Sequence, residues 1–146
     1  LVELRFYIAN SGNLFDRLIG LASRDRYSHV ELYINGTSFS SSSRDGGVRA
    51  KKIDYKPGKW QIVDLKNTVN LQRFYNFFDA TNSCGYDYMS VVFKAMGNEV
   101  DMDKKRWYCS EWVAAALNIL YGTNMITRVF PTQLLLQAER WKLTQL

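Results

Sequence analysis

The sequence predicts a single α+β domain in which an antiparallel sheet, built mostly from the first half of the chain, packs against helices from the second. Three observations predict it. Val2 to Ile8 alternates apolar and polar residues, and Tyr27 to Ile34 is rich in Tyr, Val and Ile, as strands are. From Leu71 onward the apolar residues recur at helical spacing instead. The 146 residues are 47% hydrophobic and 23% charged, the balance of an ordinary globular domain, and the length allows a core without disulfide or metal staples. Disordered, collagen-like and low-complexity chains are excluded. Aromatic residues reach 14%, which makes the expected core ring-rich.

In chain order, the first strand turns fully apolar at Phe6-Tyr7-Ile8, as one entering a core would. The turn Asn10-Ser11-Gly12-Asn13 leads into a short helix carrying Leu14, Leu18, Ile19 and Leu21, closed by Ser23-Arg24-Asp25-Arg26. Tyr27 to Ile34 breaks at Asn35-Gly36, a strong hairpin signal, so Thr37 to Ser43 is the return strand. Arg44-Asp45-Gly46-Gly47 is a polar turn; it lacks the spacing and the strand-to-helix context of a phosphate-binding loop. Val48 to Ile53 and Trp60 to Leu65 read as two more strands, separated by a Pro57-Gly58 turn. Asn70 is placed to cap a helix carrying Leu71, Phe74, Tyr75, Phe77 and Phe78, which ends at 82–85. Asp87 is placed to cap a second, with Met89, Val92, Phe93 and Met96, stopped by Gly97-Asn98 and followed by a charged loop. A third helix runs from Cys109 to Tyr121 with Gly122 as its C-cap. Pro131-Thr132 opens a fourth, ending near Glu139, and Trp141-Lys142-Leu143 reads as a last strand.

Lys and Arg number 19 against 14 Asp and Glu, so the net charge is +5. The excess permits a polyanionic partner without requiring one. Part of it is local: Arg49, Lys51, Lys52, Lys56 and Lys59 crowd one stretch opposed in it only by Asp54. That stretch is either a polyanion contact or a sheet edge that lysines protect against pairing. No RNA-binding motif accompanies it. Leu1 to Asn10 alternate like a strand, so no signal peptide is expected, and the chain starts at Leu1 rather than Met, compatible with removal of an upstream segment. The longest uncharged apolar stretch, Trp112 to Leu117, is too short to span a bilayer, and a soluble protein is expected.

Site chemistry is limited to two cysteines, Cys84 and Cys109, and one histidine, His29. With no C-x-x-C and no histidine pair, neither a structural metal nor a cofactor is expected. His29 lies on a strand, where residues two apart share a face, so Glu31 is its neighbour. A carboxylate beside an imidazole fixes its tautomer and stabilises the imidazolium. Cys109 stands where a polar segment gives way to an apolar helix; the unpaired N–H groups of a helix N-terminus favour a thiolate and can hold an oxyanion. Thiolate and imidazole together make a nucleophile. The plainer alternative is a small core hydrophobe and a structural histidine. Cys84 sits in a turn with no helix beginning at it, and a Cys84–Cys109 disulfide would remove the nucleophile.

Ser28-His29-Val30-Glu31-Leu32-Tyr33-Ile34-Asn35-Gly36 resembles the histidine strand of NlpC/P60-type papain-like hydrolases. Tyr108-Cys109-Ser110-Glu111-Trp112-Val113 resembles their cysteine helix, in the Cys-Ser-Glu form of the circularly permuted YiiX/YaeF-like branch, which also has histidine before cysteine. Tyr86-Asp87-Tyr88 is similar to a segment of that branch, and the run from Phe39 to Arg49 is similar to phage-encoded members. The matches span from about Phe6 to the Pro131 helix. The resemblance implies a papain-like fold, Cys109 as nucleophile and His29 as base. Glu31 stands where the family commonly has glycine; it is the favoured third residue on the face argument, with Ser40 to Ser43 on the next strand as the alternative. Tyr27 and Tyr108 flank the motifs as core or cleft wall, and Glu111 meets the helix dipole. The implied activity is hydrolysis of an amide or ester, peptidoglycan peptides first. Lipid acyl hydrolysis or acyl transfer comes second, and a non-catalytic phage or host binding module third. A phage origin would put the protein in the host cytoplasm or the virion.

Overall fold

The structure is a computed structural model describing residues 1–9, 25–65, 69–87 and 106–145. The expected helix over 14–22, the helix carrying Met89 to Met96 and the loop after it lie outside the described residues. Among the described residues, seven strands form one sheet: β1 (Val2–Ile8), β2 (Tyr27–Ile34), β3 (Thr37–Ser42), β4 (Gly47–Lys51), β5 (Trp60–Asp64), β6 (Gly85–Tyr86) and β7 (Arg106–Trp107). Their order is β5-β1-β2-β3-β4-β6-β7, antiparallel except for the β6–β7 pair. Helices α1 (Leu71–Thr81), α2 (Cys109–Tyr121) and α3 (Pro131–Thr144) pack against it, making an α+β fold.

The strand pattern decides which side each residue serves. In β1 and β2, Leu4 pairs with Leu32 and Phe6 with Val30, and all four are fully buried. The alternate pairs, Arg5 with Glu31 and Tyr7 with His29, point to the other face. The Asn35-Gly36 hairpin forms with φ of 46° and 96°, the left-handed pair that a two-residue turn requires. Gly47 has a φ of 149°, and a Cβ there would lie 2.0 Å from the Cys84 carbonyl oxygen. That close approach lets the Val48 N–H reach the same carbonyl, joining β4 to the short β6 and β7. No periodic signal marks strands two residues long, which is why the sequence did not announce them.

The apolar faces of the helices meet in one core. Asn70 caps α1, its Oδ1 accepting from the Arg73 N–H at 3.0 Å, and Gly122 closes α2 in the left-handed conformation. Trp112 is fully buried between Phe74, Phe77 and Phe78, and its indole N–H donates to Thr81 Oγ1 at 2.9 Å. Phe39 brings β3 into the same ring cluster, with centroids 5.0 Å from Phe74 and 5.1 Å from Phe78. The expected strand at Trp141-Lys142-Leu143 is not formed: α3 continues through it to Thr144. Trp141 lies three residues beyond Ala138 and seven beyond Leu134, so it extends the buried helix stripe and stacks on Tyr121 at 4.6 Å. Asp25 accepts from the Tyr27 N–H and from both the N–H and the hydroxyl of Thr132, fastening the start of β2 to the first turn of α3. Among the described residues, no helix is long and apolar enough to cross a membrane.

Candidate active site

His29 and Glu31 stand two residues apart on the charged face of β2, as strand periodicity requires. Just before them the β1–β2 register slips, with Ile8 opposite Tyr27 and Tyr7 opposite His29, so Ser28 is an extra residue. Bulges of this kind re-aim the side chain that follows. On its other edge β2 pairs with β3 only over Leu32–Ile34, and the Ser40 hydroxyl donates to the Val30 carbonyl at 2.7 Å in place of a ladder bond. Cys109, the first residue of α2, lies close enough to the His29 ring to be among the groups that raise its pKa. His29 Nε2 lies 2.7 Å from Glu31 Oε1.

Glu31 is 1% exposed and is held from its far side as well. Arg49 grips it with both terminal nitrogens, Nη2 to Oε1 at 2.5 Å and Nη1 to Oε2 at 2.7 Å. Arg49 Nε then donates to Asp45 at 2.7 Å, and Lys51 closes on the same carboxylate at 2.8 Å. The result is a continuous chain, His29–Glu31–Arg49–Asp45–Lys51, with Cys109 beside the ring at its head. A buried carboxylate on its own would be neutral; burial does push Glu31 up, but the Arg49 fork and the His29 ring outweigh it and hold the group below its ordinary range. Burial likewise pushes His29 down, and Glu31 followed by the Cys109 contact reverses this, raising its pKa to about 10. The imidazole is therefore an imidazolium at neutral pH, donating to Glu31 from Nε2.

Cys109 is only 3% exposed and meets His29 from the helix side. The N-cap of α2 is Tyr108, which makes no side-chain cap bond to the first turn. The N–H groups beside the sulfur are thus left without that usual partner. Three buried polar atoms among the described residues make no hydrogen bond: Ser28 Oγ, Trp107 Nε1 and Tyr108 OH. Two of these residues adjoin His29 and Cys109 in the chain. Tyr108 has its phenol pushed well above its ordinary range by burial, then by Glu111 and Cys109. Tyr27 is core, its ring against Phe6 and its hydroxyl on Gln61. Glu111 lies in the first turn of α2 with Arg128 3.9 Å away. Cys84 and Cys109 are both free thiols. Of the serines weighed as a third group, Ser40 bonds Val30 and Ser41 bonds the Trp107 carbonyl at 2.6 Å, so both serve the backbone.

The basic stretch divides. Arg49 is drawn inward to Glu31 and Asp45 with its side chain 14% exposed, while Lys51, Lys52 and Lys56 stay at the surface and Lys59 is half-buried. The sequence reading missed this role for Arg49 and the role of Asp45 entirely. A signal was present: Ser40 pairs with Arg49 across β3–β4, and a small residue on the strand between leaves Arg49 free to reach Glu31 on β2. No protein-family model matches the chain, and no curated protein matches it.

Proposed function

We propose that this protein is a cysteine hydrolase of papain-like fold, of the permuted NlpC/P60 kind, acting on an amide or ester bond, with peptidoglycan peptides as the first substrate class. The single observation that carries the reading is the buried, arginine-held carboxylate that fixes the His29 ring, with Cys109 beside it as the first residue of a helix. Cys109 attacks as the thiolate of an ion pair. Its sulfur forms a bond to the carbonyl carbon, and the N–H groups of the first turn of α2 face the oxygen that gains charge. His29 gives its Nδ1 proton to the leaving atom as the C–N or C–O bond breaks. Water, deprotonated by the now neutral His29, then attacks the thioester and releases the acid. Glu31 holds the ring orientation and the charge throughout, the orienting role of the third member of a triad.

The test is alkylation of Cys109 by iodoacetamide as a function of pH. Fast reaction at pH 6, slowed on the order of 10²-fold by His29→Ala, is the expected result. A reaction that appears only above pH 8 and ignores His29 would remove the hydrolase and leave a binding module. Release of peptide from cell-wall fragments, compared with release of fatty acid from phospholipid, separates the two substrate classes.

A further inference from the structure

A cavity of about 130 Å³ opens beside His29, between the strand ends and the segment that follows β4. His29 and Glu31 form part of its wall, Tyr7 and Trp60 an aromatic side, and Arg44, Arg49 and Lys51 a basic side. The two rings stand 4.8 Å apart, and the Arg44 guanidinium lies 6.0 Å from the Tyr7 ring. Cys109 does not line it. We propose that this cavity receives the leaving-group side of the substrate, and that this side carries an anionic group, a carboxylate or a phosphate. The inference rests on the hydrolase reading above and sharpens its substrate class.

Two arguments support it. A general acid must come within hydrogen-bond reach of the atom it protonates. Space that borders the imidazole but not the sulfur therefore adjoins the departing group rather than the acyl group. The second argument is charge. Among the described residues, the basic side chains Arg44, Arg49 and Lys51 and the His29 ring outnumber the carboxylates Glu31 and Asp45 around the cavity. Arg49 is committed to the two carboxylates through all three of its nitrogens. Lys51 spends two contacts on Asp45 and has a third N–H, while its side chain remains 44% exposed. In a half-enclosed recess such an excess attracts anions and rejects cations. The cavity has room for a small polar group and none for a polymer chain.

The chain has one histidine, so its ring signals report the site without assignment. The experiment titrates the protein with N-acetylglycine against N-acetylglycinamide, and with glycerol 3-phosphate against glycerol, following the His29 ring by NMR and protection of Cys109 from iodoacetamide. The anions are expected to shift the ring and slow alkylation, and their neutral partners to do neither. A response to the carboxylate alone identifies a peptide-like leaving group, and to the phosphate alone a glycerophosphate-like one. Lys51→Gln and Arg44→Gln should each weaken the anion's effect about tenfold, about 1.4 kcal/mol, with Arg44→Lys recovering part of it. Equal binding of the neutral partners, binding unchanged in both variants, or no response to either anion overturns the proposal. Iodoacetamide reactivity that ignores His29 overturns the hydrolase reading instead, and the ring titration still reports on the cavity, so the two failures are distinguishable.

Discussion

On one face of β2, Val30, Leu32 and Ile34 are buried against α2 and α3; on the other, His29, Glu31 and Tyr33 meet charges and hydroxyls. The first face is held by area removed from water, which is non-directional and indifferent to pH. The second is held by a chain of ion pairs in which every member satisfies the next, and it depends on geometry and on protonation. One strand thus carries the core and the charged network on alternate residues, and the two sides should break differently.

The largest loss is expected on the apolar side. Trp112→Ala removes the ring that Phe74, Phe77 and Phe78 surround, a cost of about 3–5 kcal/mol by urea denaturation, with little dependence on pH, while the Thr81 hydroxyl keeps its bond to the Phe77 carbonyl. Next comes Arg49→Met. It leaves Glu31 buried with His29 as its sole charged partner among the described residues, and about 3 kcal/mol of stability should be lost, a figure set by the stranded carboxylate rather than by the surface. If Arg49 were part of a solvated basic patch, the same change would cost almost nothing.

A change in pH dependence separates the faces most cleanly. His29 has its pKa raised in the folded protein, from 6.5 to about 10, so its contribution is complete below 6.5 and fades as the pH climbs through about 10. Glu31 is lowered, so its contribution is present above its ordinary value of 4.5 and is lost as the pH falls beneath it. The urea midpoint of the wild type should therefore drop between pH 7 and pH 10. In Glu31→Gln it should stay flatter over that span, both proteins sharing whatever background the lysines and tyrosines add. The smallest effect belongs to neither face: Ile126, 68% exposed, should tolerate Ser within about 0.5 kcal/mol.

Much of this was legible in the chain because the signals are local. Alternation placed Val30 and Leu32 opposite His29 and Glu31, Asn35-Gly36 set the hairpin, and Asn70 and Gly122 bounded their helices. The pairing of His29 with Glu31 needed only strand geometry, whereas the meeting of His29 with Cys109 rested on a family likeness. What stayed hidden depends on distant elements. Sequence groups Arg49 with lysines, although its partner lies two strands away; the Trp141 segment reads as a strand because the Tyr121 ring it meets belongs to another helix; and β6 joins β4 where Gly47 lets a backbone approach.

The measurement that bears most directly on the account is the titration of the lone histidine ring by NMR in the wild type, Cys109→Ala and Glu31→Gln. The account predicts a midpoint near 10 in the wild type, a lower one in Cys109→Ala, and a larger fall, toward 6.5, in Glu31→Gln. A ring that titrates near 6.5 in all three proteins would contradict it.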